Sequence, residues 1–380
     1  MRYLDWVYHV FQTGRGDALS LYDSSVSPPD ALLAEAARKV FGDAGGVGIL
    51  SAFGGGSVAL RKYLADCYRI SPARVVATSG AASGLALIYR ALAQAGDHVL
   101  VERPGYQPFE DMALAAGLQV EGFARAEGDA RPVLEDIRAR LRPETRLIVL
   151  SHLHNPTGQP LAERDLSALV TLCESRGLLL VVDEIYGAFA GDASLAALRS
   201  PMVISVSGLS KIFGLGALRC GWIVAASDLA ETLRRASVHG DPGVSAVSHA
   251  IALEVLRAWP AFRAHTEAVV APNRVLIAAW LDRMAGEGLV ECRLSPLGCL
   301  AFPRLVGMAR TDGFAAWLYA TKGIIVAPGQ FWGAARHVRL GFGMERARLE
   351  AGLAGLGDAL RAYAAMPFGA RQAVDDYRWL

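Results

Sequence analysis

The chain has 380 residues, 53% of them hydrophobic, and its 38 lysine plus arginine residues nearly balance 37 aspartate plus glutamate for a formal net charge of +1. That length supports one large domain and a smaller one around a sizeable core. The charge balance offers neither the basic excess of a nucleic-acid reader nor the charge run of a disordered tail, and no apolar run is long enough to span a membrane.

Residues 4–11 read as a short helix, and 31–41 as a better one after the start signal Pro28-Pro29-Asp30. Glycines at 45–48 and 54–56 bracket an irregular segment, and a helix resumes over 57–68. From Val75 the pattern becomes strand, loop, helix, strand. Strands are predicted at 75–78, 98–102, 119–123, 146–150, 178–182, 203–206 and 220–226, with helices such as 133–141 and 163–175 between them. Such alternation of nearly all-apolar strands with helices predicts an α/β fold: a mostly parallel central sheet covered by helices on both faces, with its site beyond the carboxyl ends of the strands. Past residue 230 the rhythm stops. Helices over 246–257, 261–285, 313–319 and 346–365, with strands near 291–294, 298–302, 324–327 and 337–341, predict a smaller α+β unit. The expected division is 45–269 for the large domain and 1–44 plus 270–380 for the small one.

The chemistry concentrates in the stretch from Val203 to Trp222. Between Arg199 and Arg219 its only charged residue is Lys211. Desolvation disfavours the charged form of an amine, and a neutral amine is a nucleophile toward carbonyls, as a lysine holding an aldehyde cofactor must be. Arg219, eight positions on in a glycine-punctuated segment, can grip a phosphate through two parallel hydrogen bonds. Asn155-Pro156-Thr157-Gly158 alone is a turn, and Asp183 at the end of an apolar strand alone is a helix cap. Their order changes the reading: Asn155, Asp183, Tyr186, Lys211 and Arg219 fall at successive strand ends. His152 and His154 flank the Asn155 turn without a third metal ligand, so a loop position near the cofactor's edge is expected for His154.

With these motifs the sequence resembles the class I/II aminotransferases, fold-type-I enzymes that use pyridoxal 5′-phosphate. The resemblance rests on N-P-T-G, D-E-I-Y, S-G-L-S-K, G-L-G-A-L-R-C-G-W, and V-A-P-G followed by V-R-L-G-F-G, and runs from about Gly45 to Gly341. It implies that Lys211 holds the cofactor's aldehyde as a Schiff base and, once displaced by the substrate amine, acts as base and acid at Cα. Asp183 would pair with the pyridine nitrogen, Tyr186 and Asn155 would donate to the phenolate oxygen, and Tyr106 would stack on the ring. The phosphate would sit on the amides of Gly80, Ala81 and Ala82, with Arg219 and a serine, Ser207 or Ser210, completing the cradle. Arg339 would bind the substrate α-carboxylate as a fork, and Asn155 would lie beside it. Three departures, Ala81, Gly208 and Ser51, leave the phosphate site thinner in hydroxyls than is usual for the family.

The implied reaction is transfer of an L-amino acid's amino group to a 2-oxo acid by a cytoplasmic homodimer, with no nucleic-acid or membrane partner. The N-terminal segment lacks the apolar core of a signal peptide, and five scattered cysteines without a C-x-x-C pair fit a reducing compartment. Ser51 would lie nearest the partner's phosphate. An alternative keeps the cofactor and changes the outcome to β- or γ-elimination, replacement or cyclisation. Leu4-Asp5-Trp6, Asp23-Ser24-Ser25-Val26 and V-R-L-G-F-G look like capreomycidine-synthase-like members acting on guanidino amino acids. A cofactor-sensing regulator on the same fold is disfavoured by the lack of a basic reader module. Side-chain pocket residues are expected from the N-terminal segment, from 45–56 and from the irregular Gln330-Phe331-Trp332.

Overall fold

The computed structural model describes residues 1–13, 16–42, 56–191, 195–240 and 244–379. Helix α1 (Tyr3–Thr13) buries Tyr3, Trp6 and Val10, spaced three and four residues apart on one face. After the short strand β1 (Leu19–Ser20) come α2 (Asp30–Phe41) and α3 (Val58–Tyr68), the latter capped by the Ser57 hydroxyl, which accepts the Leu60 N–H. The alternating region follows: β2 (Val75–Thr78), α4 (Ala81–Leu92), β3 (His98–Arg103), α5 (Pro108–Ala115), β4 (Gln119–Ala124), α6 (Leu134–Arg140), β5 (Thr145–Ser151), α7 (Glu163–Arg176), β6 (Leu179–Asp183), β7 (Val203–Gly208) and β8 (Gly221–Val224).

These strands form a seven-stranded sheet in the order β2-β8-β7-β6-β5-β3-β4. The pairs among β4, β3, β5, β6 and β7 are parallel, and β8 is antiparallel to both neighbours. Runs such as Leu147–Leu150 and Leu180–Val182 are wholly buried, because helices cover both faces. Burying each such aliphatic side chain contributes about 1.5–3 kcal/mol. The reversal at β8 matters for the site. The β7–β8 connection stays at one end of the sheet and needs no crossover, so β8 returns antiparallel. Gly221 pairs with Gly208 on one side and Thr78 on the other. That connection carries both Lys211 and Arg219, which therefore arrive at the carboxyl end of the parallel strands.

Helix α8 (Ser227–Gly240), which the strand-rhythm reading does not anticipate, packs against α4 with Ala230 and Leu233 fully buried. Then come α9 (Ala246–Arg257) and the long α10 (Trp259–Gly286), which passes from the core containing Phe262 to that containing Val270 and Ile277. The remainder is β9 (Val290–Glu291), β10 (Leu300–Ala301), β11 (Arg304–Leu305), α11 (Asp312–Lys322), β12 (Ile324–Ile325), β13 (Ala327–Pro328), β14 (Val338–Gly341), α12 (Arg346–Ala365) and α13 (Phe368–Asp375). Residues 324–327, expected as one strand, divide because β12 pairs parallel with β1 while β13 pairs antiparallel with β14. Helix α2 lies against α9, with Ala36 in the core that holds Leu60 and Leu64.

Candidate active site

The carboxyl ends of the central strands open into a cavity of about 310 Å³ lined by Tyr106, Asn155, Asp183, Tyr186, Ser210, Lys211 and Arg219, with Ala81 and Ala82 at one end. Open α/β sheets present ligand sites at this edge. Lys211 is partly buried, and its Nζ donates to the Ser24 Oγ at 2.9 Å.

Asp183, the last residue of β6, is buried and has no ion-pair partner among the described residues. Its Oδ1 accepts the Ile185 N–H at 3.0 Å. Burial pushes the carboxyl up to about 6, opposed by that N–H and by the charge of Lys211. A cationic N–H donor in the cavity would favour the ionised form. The Tyr186 hydroxyl is also buried; it lies by Ser24 but makes no hydrogen bond of ordinary geometry, and burial holds its phenol well above the usual range.

Asn155 is fixed from several sides. Its backbone N–H donates to the Ser151 Oγ at 3.0 Å, and its Oδ1 accepts from the Trp332 Nε1 at 3.1 Å and the Arg339 Nη1 at 3.2 Å. With the oxygen so used, the amide nitrogen is the group left to donate. Arg339 is 1% exposed and stands directly behind Asn155. Its Nη2 donates to the Tyr3 hydroxyl at 3.1 Å and the Tyr22 carbonyl at 2.9 Å, its guanidinium lies 4.6 Å from the Trp332 ring centroid, and its Nε has no partner. No carboxylate among the described residues pairs with it. A buried unpaired cation costs several kcal/mol, so this arrangement suits a site that an anion completes.

At the other end, α4 begins at Ala81 after Gly80, which offers no side-chain cap, so the first amides of the helix remain available to an anion. The Arg219 Nη2 donates to the Ser79 carbonyl at 2.8 Å. A Cβ on Gly80, whose φ is +102°, would lie 2.7 Å from that same Nη2. Arg219 itself sits in the left-handed region at φ 49°, a conformation costly for a residue with a Cβ. The pieces together can hold a molecule with an anion at one end and a ring nitrogen facing Asp183, with a carboxylate bound toward Arg339.

The chain matches the family described as aminotransferase class I and II over residues 18–356. It belongs to that family.

Among relatives, capreomycidine synthase of Streptomyces vinaceus is 31% identical over 321 residues, covering 81% of this chain and 80% of that protein. Arginine–pyruvate transaminase of Pseudomonas aeruginosa is 28% identical over 311 residues, covering 75% and 76%. A double mutant of the Thermus thermophilus aspartate aminotransferase superposes with a TM-score of 0.83 at 22% identity over 94% of this chain and 95% of that one, a likeness of fold. Membership makes the chain an enzyme, a pyridoxal 5′-phosphate-dependent transferase.

Several expected positions in this aminotransferase differ in detail. Ser207 is not among the cavity's lining residues: it is buried and its hydroxyl donates to the Glu184 carbonyl at 3.3 Å, whereas Ser210 lines the cavity. Gly208 has a packing reason, since a Cβ there would meet the Cys220 carbonyl oxygen at 2.8 Å. The close return of β8 excludes a side chain at 208. Tyr106 lines the cavity with its ring edge-on to Tyr3 (5.8 Å) and Phe109 (5.5 Å). Phe331 and Trp332, expected as irregular pocket residues, lie buried in a short 3-10 turn, Gly329–Trp332, where Trp332 braces Asn155. His154 is not at the cavity. It is fully buried, bridging the Pro104 carbonyl (2.8 Å) and Thr157 Oγ1 (2.7 Å), and burial holds its imidazole well below its usual value. The His152 Nδ1 accepts the Leu161 N–H at 3.0 Å. Ser51 lies outside the described residues.

Tyr3 and Ser24 are among the cavity residues to which sequence reasoning assigns no individual role, although pocket residues are expected from the N-terminal segment. Tyr3 shares the apolar face of α1 and reads as core, while Ser24 lies in the Asp23-Ser24-Ser25-Val26 stretch, which suggests a resemblance but no role for its hydroxyl. Only the fold brings them to Lys211 and Arg339, 187 and 336 positions away.

Proposed function

We propose that this aminotransferase transfers the amino group of an L-amino acid to a 2-oxo acid, using pyridoxal 5′-phosphate seated between Asp183 and the start of α4. The observation that carries the reading is Lys211 in the cavity together with Arg339, which is buried directly behind the cavity residue Asn155 and pairs with no carboxylate among the described residues. An amine and a carboxylate on the same carbon need such a pair. The cofactor, once bound, supplies a conjugated ring that accepts the electron pair left when the substrate's Cα loses a proton. The chain's residues do the rest. Lys211 carries the aldehyde and, when released, moves the proton at Cα. Asp183 holds the ring nitrogen protonated; Asn155 and Tyr186 donate to the phenolate oxygen; Tyr106 bears on the ring face. Ala81, Ala82, Gly80, Ser210 and Arg219 bind the phosphate. Arg339 fixes the α-carboxylate so that the Cα–H bond meets Lys211. A homodimer is part of this reading.

A second outcome is elimination, replacement or cyclisation on a guanidino amino acid after the same proton step. The 31% identity to capreomycidine synthase supports it; the 28% identical arginine–pyruvate transaminase supports a guanidino substrate but transamination as the outcome. Incubation with single amino acids separates the two. Stoichiometric release of the 2-oxo acid, with conversion of the cofactor's absorbance to that of its amine form, is the expected result. Ammonia release without that conversion would support the second outcome instead.

A further inference from the structure

Lysine reaches its target on a flexible four-carbon stem, and a free ammonium or amine at its end has no intrinsic direction. The loop between β1 and α2 supplies one. Ser24 is 4% exposed, lines the cavity, and accepts a hydrogen bond from the Lys211 Nζ at 2.9 Å; it also lies by the otherwise unbonded Tyr186 hydroxyl. The loop holding Ser24 is clamped on both sides. On the small-domain side, the Gly341 N–H donates to the Leu21 carbonyl at 2.7 Å and the Ser27 N–H to the Gly343 carbonyl at 2.6 Å. On the Lys211 side, the Val26 N–H donates to the Lys211 carbonyl at 2.9 Å, and the loop passes so close to Gly214 that a Cβ there would lie 2.1 Å from the Val26 carbonyl oxygen. Two residues before Ser24, the Tyr22 carbonyl accepts from the Arg339 Nη2 at 2.9 Å. One short segment thus fixes both Arg339 and the end of Lys211.

We propose that Ser24 is the positioning residue for Lys211, holding the released amine so that its lone pair faces the Cα–H bond of a substrate anchored on Arg339. The inference rests on the reading of Lys211 given above. Ser24 accepts an N–H throughout and neither gains nor loses a proton; the proton taken from Cα resides on Nζ. Removing the hydroxyl leaves the amine free to rotate, which slows proton transfer without weakening substrate or cofactor binding.

The test compares wild type with Ser24→Ala, using whichever of L-arginine, L-alanine and L-aspartate reacts fastest with the wild-type holoenzyme. Three quantities are read: cofactor affinity by absorbance titration of the apoprotein, kcat and KM, and the isotope effect with the Cα-deuterated amino acid. The expected result is affinity and KM within a few-fold of wild type, kcat lower by about tenfold, and a larger isotope effect. Unchanged kcat, or a fall in kcat with an unchanged isotope effect, overturns the proposal. A loss of cofactor affinity that accounts for the loss of rate also overturns it, because Ser24 would then be a structural or cofactor-binding residue. Failure of the Lys211 reading is separately visible, as a wild-type protein whose cofactor is not attached at that lysine.

Discussion

Replacing Arg339 tests how the α-carboxylate is held. The side chain is fully enclosed, its Nη atoms are held by Asn155 at 3.2 Å, Tyr3 at 3.1 Å and the Tyr22 carbonyl at 2.9 Å, and Trp332 stacks at 4.6 Å. A carboxylate bound to this fork gains two charge-assisted hydrogen bonds, each of about 1.5–3 kcal/mol. Arg339→Ala removes both, and at 1.4 kcal/mol per factor of ten the loss in kcat/KM is about 10²- to 10⁴-fold. Arg339→Lys keeps the charge but not the planar fork, so a loss of about 10- to 100-fold is expected, mostly as a raised KM. Steady-state kinetics with an amino acid and with an amine lacking the carboxylate read this directly, once absorbance shows that cofactor is bound. The amine should respond weakly to either substitution. An Arg339→Lys enzyme within about threefold of wild type on the amino acid, or an equal loss on amine and amino acid, would refute the assignment.

Asp183→Asn cannot keep a ring nitrogen protonated, so kcat should fall by orders of magnitude with a smaller change in KM, and a cofactor analogue methylated on that nitrogen should restore part of the rate; near-normal kcat would remove Asp183 from this role. Glu102 makes a separate prediction about stability. Burial pushes its carboxyl up to about 7, partly offset by Arg125, whose Nε is 3.4 Å away, and by Ser151. A folded-state value above the unfolded one favours folding at low pH and is lost as pH rises from about 4.5 to about 7. Wild type should therefore lose up to about 3 kcal/mol more than Glu102→Gln over that window, at 1.36 kcal/mol per pH unit, in urea unfolding followed at each pH. Parallel pH profiles for the two proteins would contradict this.

Much of the architecture is legible because doubly covered strands must be apolar. Runs such as 146–150 and 178–182 stand out against the helices between them, and the observed strands Thr145–Ser151 and Leu179–Asp183 differ from them by one residue at each end. The residues Asn155, Asp183, Tyr186 and Lys211 are legible for a related reason: polar groups directly after buried strands have few places to go except the sheet's carboxyl edge. What escapes is what depends on distant packing. The antiparallel return of β8 decides why position 208 is glycine, yet nothing near Gly208 announces it. The N-terminal segment is expected to supply pocket residues, but which of its side chains reach the cavity, Tyr3 and Ser24 among them, depends on how the segment packs against β14 and the Lys211 loop. Helix α8 carries Asp228 in its first turn and buries Ala230 and Leu233 against α4, a contact that only the fold reveals.

The central claim is that Lys211 carries the cofactor. Borohydride reduction of the holoenzyme followed by peptide mapping measures this directly. The account predicts a yellow protein whose visible absorbance disappears on reduction, with the pyridoxyl group found on the peptide containing Lys211. Label on another lysine, or reduction that leaves no covalent label, would contradict it.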